Sequence, residues 1–283
     1  MGLAPTTNKT ASSPAGVLLR QWRDIRGKSQ LDLSLDAGVS QRHISFVESG
    51  RSTPSRQMLL DLAQALEVPL RERNALLFAA GYAPIYADTA LDEPAMKAVN
   101  NALRRMLRQH EPFPAIVMDR YWNVTLTNDA TQRFFGCFID MAARQGRRNL
   151  LHLMFDPAGM RPFIANWPET GRALLGRLRR EALGHVVDAK TASLLDELSQ
   201  YPGVKPEWRA PAPGDALPLI PMAFRKGGVT LNYFSMITTV GTPQTVSAEE
   251  LRIECLFPAD EVTEAEHVRF IAENLPGGSS TQH

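Results

Sequence analysis

Gln41, Arg42, Ser45 and Phe46 lie within one short stretch, QRHISFVE, and share a face of it if it is helical. Their types are those that read base edges. An amide or a guanidinium makes paired hydrogen bonds to a purine, a hydroxyl takes several partners, and a phenyl ring can meet a thymine methyl. For Ser45 a phosphate contact, and for Phe46 simple packing, are the competing assignments. Around them stand groups suited to phosphate: Gln30, Ser40, Arg51 and Arg56, at or near expected helix starts where main-chain amides also favour anions. His43 is assigned no role. Catalytic chemistry finds no foothold: there is no G-x-S-x-G elbow, H-E-x-x-H, C-x-x-C or phosphate loop. The six histidines are scattered, and Cys137 and Cys255 match no ligand spacing, so neither metal nor cofactor is expected.

The elements that must hold these side chains read as two short helices around a tight turn. Ser29 with Asp32 forms a capping box, and Leu31, Leu33, Leu35 and Ala37 supply apolar groups. Gly38 stands where a left-handed turn is required. Ser40 caps the second helix, which sends Ile44 and Val47 inward. This is a helix-turn-helix, and it points to double-stranded operator DNA.

The charge balance restrains that reading. Lys and Arg number 31 against 30 for Asp and Glu, so the chain as a whole exerts no electrostatic pull on nucleic acid. Basic residues modestly outnumber acidic ones only before residue 87, so one copy should bind weakly and a homodimer on a two-fold site is expected. No run of eighteen apolar residues occurs, which argues against a membrane span. Residues 1–13 read as a disordered arm without a hydrophobic signal region, and a cytoplasmic protein with reduced thiols is expected.

Beyond about residue 82 the pattern changes. GYAPIYADTALD breaks the helical period, and 83–93 reads as a linker. A helix resumes with Met96, Val99, Leu103, Met106 and Leu107 on one face. AIVMDRYWNVTLTN then alternates as a hairpin turning at Asp119-Arg120, and Asn128 caps a helix carrying Phe134 and Phe135. Leu150–Phe155, Arg161–Leu183 and Thr191–Tyr201 read as helical, followed by three late strands with a turn at Arg225–Gly228. The expected architecture is an all-α five-helix DNA-binding domain over 14–82, then an α+β PAS-like domain over 94–264. The latter is an antiparallel sheet with helices on one side, and 265–283 is left as a tail.

Two family resemblances follow from these residues. The segment from Gly16 to Gly81 resembles the Cro/phage-repressor (XRE-type) helix-turn-helix regulators through Trp22-Arg23, Ser29-Gln30, AGVS, ISFVESG and PS before LLDLA. That resemblance implies an ion pair between Arg23 and Glu48. Residues 94 to 260 resemble the ligand-binding domain of MmyB-like transcription regulators through AIVMDRYWNVTLTNDA, NLLHLMFDP, NWPETGRALLGRLRREA and PEW. The ending ELRIECLFPAD departs from that pattern.

A PAS-like sheet under helices often encloses an apolar pocket. Its expected lining is Trp122, Phe134, Phe135, Met154, Phe155, Phe163, Trp167, Phe224, Tyr233, Phe234 and Met236, each of which also suits ordinary core. The expected ligand is small, slender and apolar, such as a fatty acid, with Arg161 or Arg225 at its carboxylate. The functional expectation is a one-component transcription regulator; the alternative is a DNA-binding protein whose second domain only dimerises or docks a partner.

Overall fold

The computed structural model describes residues 13–144, 146, 148–183, 188–209 and 219–275. The expected N-terminal arm, apart from Ser13, lies outside them. The chain divides into two compact units. The first ends at Asp88 and also takes in Gln244–Glu249, whereas Thr89–Leu183, the chain from 188 to Pro243 and Glu250 onward make the second.

The first unit opens with five helices: α1 (Pro14–Ile25), α2 (Gln30–Ala37), α3 (Gln41–Glu48), α4 (Arg56–Ala65) and α5 (Leu70–Ala79). Ser13, Ser29, Ser40 and Ser55 cap the first four, each hydroxyl accepting a main-chain N–H two or three residues into the helix. Gly38 ends α2 at φ 65°, a conformation costly for any side chain with a Cβ. Gly16 serves packing instead, since a Cβ there would stand 2.4 Å from the Val47 carbonyl oxygen. Leu19, Trp22, Leu33, Ile44, Val47 and Leu62 form the core. Leu31 and Leu35, two of the apolar groups of this helix, are exposed. On α2 they lie about 200° from Leu33, so a helix that buries Leu33 must turn them out.

The helix α5 starts at Pro69, which offers no capping side chain. Glu249 takes that role, accepting the Leu70 N–H at 2.7 Å, while Val246 N–H reaches Ala87 O at 2.9 Å. Asn74 binds the main chain of Ile85 and Tyr86. The first part of the expected linker therefore packs as part of this unit.

The second unit starts with α6 (Lys97–Gln109), then the hairpin β1 (Ala115–Met118) and β2 (Val124–Thr127). Next come α7 (Asp129–Gly136), α8 (Leu150–Phe155), α9 (Trp167–Leu183) and α10 (Ala189–Ser199). The strands β3 (Ile220–Lys226), β4 (Val229–Thr239) and β5 (Arg252–Pro258) and the helix α12 (Glu261–Asn274) complete it, while the short α11 (Val246–Glu250) between β4 and β5 belongs to the first unit up to Glu249. The strands form one antiparallel sheet in the order β2-β1-β5-β4-β3. The first and last strands in sequence are therefore neighbours at its centre.

Alternation assigns the two faces of this sheet. Ile116 and Met118 of β1, with Leu256 of β5, join the large core under α7–α10 and α12. Ala115, Val117, Ile253 and Cys255 face the other way, against Leu103 and Leu107 of α6. Helices thus cover both faces, not one, because β1 is apolar on both sides and β5 buries Ile253 and Cys255 on one side and Leu256 on the other. Two further expectations change. The reading of Arg161–Leu183 as continuous helix is interrupted before Trp167, where Ile164 bridges to Phe224 and Asn166 binds the β3 main chain. The expected tail begins inside α12, which buries Thr263, His267 and Phe270.

Candidate functional site

The first unit presents α3 outward. Gln41 and Arg42 are exposed, Ser45 and Phe46 half-buried, while Ile44 and Val47 are wholly buried beneath them. The Arg42 guanidinium carbon lies 5.2 Å from the centre of the Phe46 ring, and that of Arg51 lies 5.9 Å from it. Both cations are therefore drawn toward one aromatic ring. Ser40, Arg51 and Arg56 are exposed near the starts of α3 and α4.

Behind this surface, Arg23 and Glu48 meet as a two-pronged pair: Nε donates to Oε1 at 2.7 Å and Nη2 to Oε2 at 3.1 Å. Hydrogen bonding to Glu48 raises the Arg23 guanidinium above its ordinary pKa. Gln30, expected at a phosphate, instead donates its side-chain amide to Glu48 Oε2 at 2.9 Å. The Arg fork leaves that carboxylate with lone pairs to fill, and the first residue of α2 is within reach. Glu48 so ties α1, α2 and α3 together.

In the second unit a cavity of about 450 Å³ opens between β1, β2, α7, α8 and the segment before α8. Its buried lining is mainly apolar: Ile116, Phe135, Leu150 and Leu153. Its exposed lining is Gln132, Met141, Ala142, Gly146 and Arg148, with Arg144 half-buried, so the mouth is polar and cationic. Arg144 is braced by Asp156 at 2.8 Å and by the Ala158 carbonyl at 3.1 Å. Burial pushes the Asp156 carboxyl up, but the Ala158 N–H and Arg144 outweigh it and hold the pKa below the ordinary value.

The wall beside α8 is built by a turn. Asp119 accepts the main-chain N–H groups of Tyr121 and Asn123 at 2.8 and 2.9 Å. Between them Trp122 adopts φ 65°, strained for a bulky residue, and is driven wholly inside. Its carbonyl accepts the Leu150 N–H at 2.9 Å, and Asn149 caps α8 while donating to the Tyr121 carbonyl at 2.7 Å. On the outer turn of α8, His152 meets the Tyr201 hydroxyl through Nδ1 at 3.0 Å and Glu197 through Nε2 at 3.3 Å.

Of the eleven residues expected to line a pocket, only Phe135 borders this cavity. Phe134 packs edge-to-face against Phe135, Phe138, Phe224 and Tyr233, so these rings fill space for one another. Trp122, Met154, Phe155 and Trp167 are likewise buried in core, with Phe163 packed partly against it. Phe234 stacks on Phe257, and Met236 is exposed. Arg161 sits 4.4 Å over the Trp167 ring, and Arg225 donates to Thr230 across the β3–β4 pair. Neither arginine lines the cavity. The arginines that do, Arg144 and Arg148, lie in MAARQGRRN, a charged stretch just before an apolar helix; that juxtaposition was the available signal.

The family model for the MmyB-like transcription regulator ligand binding domain matches residues 99–267, more than half of the chain. The chain belongs to this family. A helix-turn-helix family model matches residues 19–73, from within α1 through α4 and into α5. This MmyB-like protein is therefore a DNA-binding transcription regulator of the XRE type with an attached ligand-binding domain. The match to that domain contains every residue that lines the cavity. No curated protein matches the chain. One similar solved structure, titled as that of an RNA-binding light-oxygen-voltage receptor, is 14% identical with a TM-score of 0.26. The match covers 93% of this chain and 64% of that one, and the TM-score is too low to carry an argument. No helix among the described residues is long and apolar enough to cross a membrane.

Proposed function

We propose that this MmyB-like regulator is a cytoplasmic, one-component homodimer that binds operator DNA through α3 and changes its affinity when a slender apolar molecule enters the second unit. The cavity carries the reading: about 450 Å³ falls within the range of small-molecule sites, with a buried apolar end and a cationic mouth. A fatty acid fits that polarity, its chain against Phe135, Leu150 and Leu153 and its carboxylate at Arg144 and Arg148. On the DNA side, Gln41 and Arg42 read bases with Ser45 and Phe46 beside them, and Ser40, Arg51 and Arg56 hold phosphate. Gln30 supplies its main-chain amide, its side chain being committed to Glu48.

Regulation requires the ligand to bind one dimer state better than the other. The test is native mass spectrometry of the purified protein, alone and with dodecanoic acid, followed by denaturation. Release of a slender apolar molecule, or saturable uptake of dodecanoic acid lost on Leu153→Arg, supports the reading. Absence of both favours a second domain that only dimerises or docks a partner.

A further inference from the structure

A buried carboxylate lies beyond the cavity. Glu254 of β5 is 2% exposed, and its Oε1 accepts the hydroxyl of Ser235 on β4. Its Oε2 is buried and has no hydrogen-bond partner among the described residues. That carboxyl borders a second, small space of about 10 Å³, otherwise walled by apolar side chains that include Met154, Met222 and Phe224. Ile116, Phe135 and Leu150 line both this space and the open cavity, so the two share a wall.

A buried oxygen without a partner is expensive, and expensive groups left in place call for an explanation. A space of about 10 Å³ is at the lower limit for one water, which needs about two to four polar partners. This lining supplies one polar residue, Glu254.

We infer that the ligand site extends past Phe135 and Leu150 to Glu254, and that the ligand is an apolar molecule carrying a hydroxyl at its buried end. The inference rests on the cavity being a ligand site, as proposed above. A hydroxyl suits Glu254 in either protonation state: it donates to an ionised Oε2 and accepts from a protonated one. That latitude matters because burial pushes the Glu254 carboxyl up, while the Ser235 hydrogen bond and the nearby Arg177 pull it back. An unsubstituted hydrocarbon end would leave Oε2 unsatisfied, and a second carboxylate would oppose its charge.

The experiment measures binding of a graded series from octanoic to hexadecanoic acid, each paired with its ω-hydroxy counterpart, to the full-length protein. At one chain length the ω-hydroxy acid binds about tenfold tighter or more, the usual worth of a hydrogen bond to a buried charged or polar group. Glu254→Gln, which keeps both volume and hydrogen-bonding capacity, retains the preference. Glu254→Leu removes it and tightens the plain acid. If plain and hydroxylated acids bind alike at every length, or the preference survives Glu254→Leu, this inference fails while the cavity stands as a ligand site. If no member of either series binds, the cavity reading fails and takes the inference with it.

Discussion

Each unit buries a glutamate near its functional surface, and the two are treated in opposite ways. Glu48, beneath the recognition helix, receives Arg23 Nε, Arg23 Nη2 and Gln30 Nε2. Glu254, beneath the cavity, receives one hydroxyl and keeps an oxygen unsatisfied among the described residues. A surface that must match a fixed groove gains from a frame with every polar group paired, because loose helices blur the position of Arg42. A site that must change state on binding gains from a polar group whose satisfaction waits on the ligand. Rigidity is therefore expected beneath α3 and response beneath the cavity.

The comparison breaks most visibly in stability. Glu48→Ala strips the Arg23 guanidinium of its buried carboxylate, leaving it Asp24 and the Lys28 carbonyl, and should cost the first unit up to about 3–5 kcal/mol. Glu254→Leu should cost the second unit far less, about 0–1 kcal/mol, since the carboxyl it removes makes one hydrogen bond and leaves Oε2 unsatisfied among the described residues. Hydrogen exchange of α1 and α3 amides, set beside that of β4 and β5 amides, reads both. Equal destabilisation by the two substitutions would erase the contrast.

Arg42→Ala sharpens the DNA side. It should cost about 1–3 kcal/mol per half-site and relax base preference at one position, measured by titration against single-base operator variants. Unchanged preference would mean that α3 is not the reading helix.

A smaller effect separates the units by pH. In the second unit His267 Nδ1 meets the Tyr233 hydroxyl at 2.6 Å and Nε2 meets the Pro112 carbonyl at 2.9 Å. Burial holds the Tyr233 phenol protonated, so it donates to Nδ1 and the imidazole is the neutral Nε2–H form. Burial lowers the His267 pKa from 6.5, the Pro112 hydrogen bond opposing and Arg133 assisting. The unfolded chain then takes a proton that the folded unit refuses. Stability is fully present above the unfolded value and declines as pH falls from it toward the folded one, by about 1.4 kcal/mol per unit. Denaturant melts of the second unit between neutral pH and pH about 5 should show that slope, and His267→Gln should flatten it.

The smallest effect is electrostatic. Arg51→Ala should weaken all operator sequences alike and reduce the salt slope of binding by about one. A sequence-selective loss would reassign Arg51 from phosphate to bases.

How far these features were legible in the chain follows from the range of the interactions. Ser29, Gly38 and Ser40 act within a few residues, so the helix-turn-helix could be read from spacing. The alternation in AIVMDRYWNVTLTN likewise carried the first hairpin and, with the late strands, the class of the sheet. The helix α12 was missed because its buried stripe is Thr263, His267 and Phe270, while Val262 and Val268 face outward. The Gln30 side chain was misjudged because its partner lies eighteen positions away on another helix. The cavity was misplaced for a related reason: Phe134, Phe224 and Tyr233 are large enough to seal one another in, which composition does not reveal. The open space falls where the backbone of Arg148 and Asn149 is hydrogen-bonded beside β2, a product of long-range pairing.

In the proposed function the occupant of the second unit sets the grip of the first on DNA. The most direct test is the affinity of the full-length protein for an operator selected in vitro, measured with and without a saturating ligand from the hydroxy-acid series. The expected result is a shift of about fivefold or more, matched by an equal shift in ligand affinity when operator is added first. Tight ligand binding with operator affinity unchanged in both directions would contradict it.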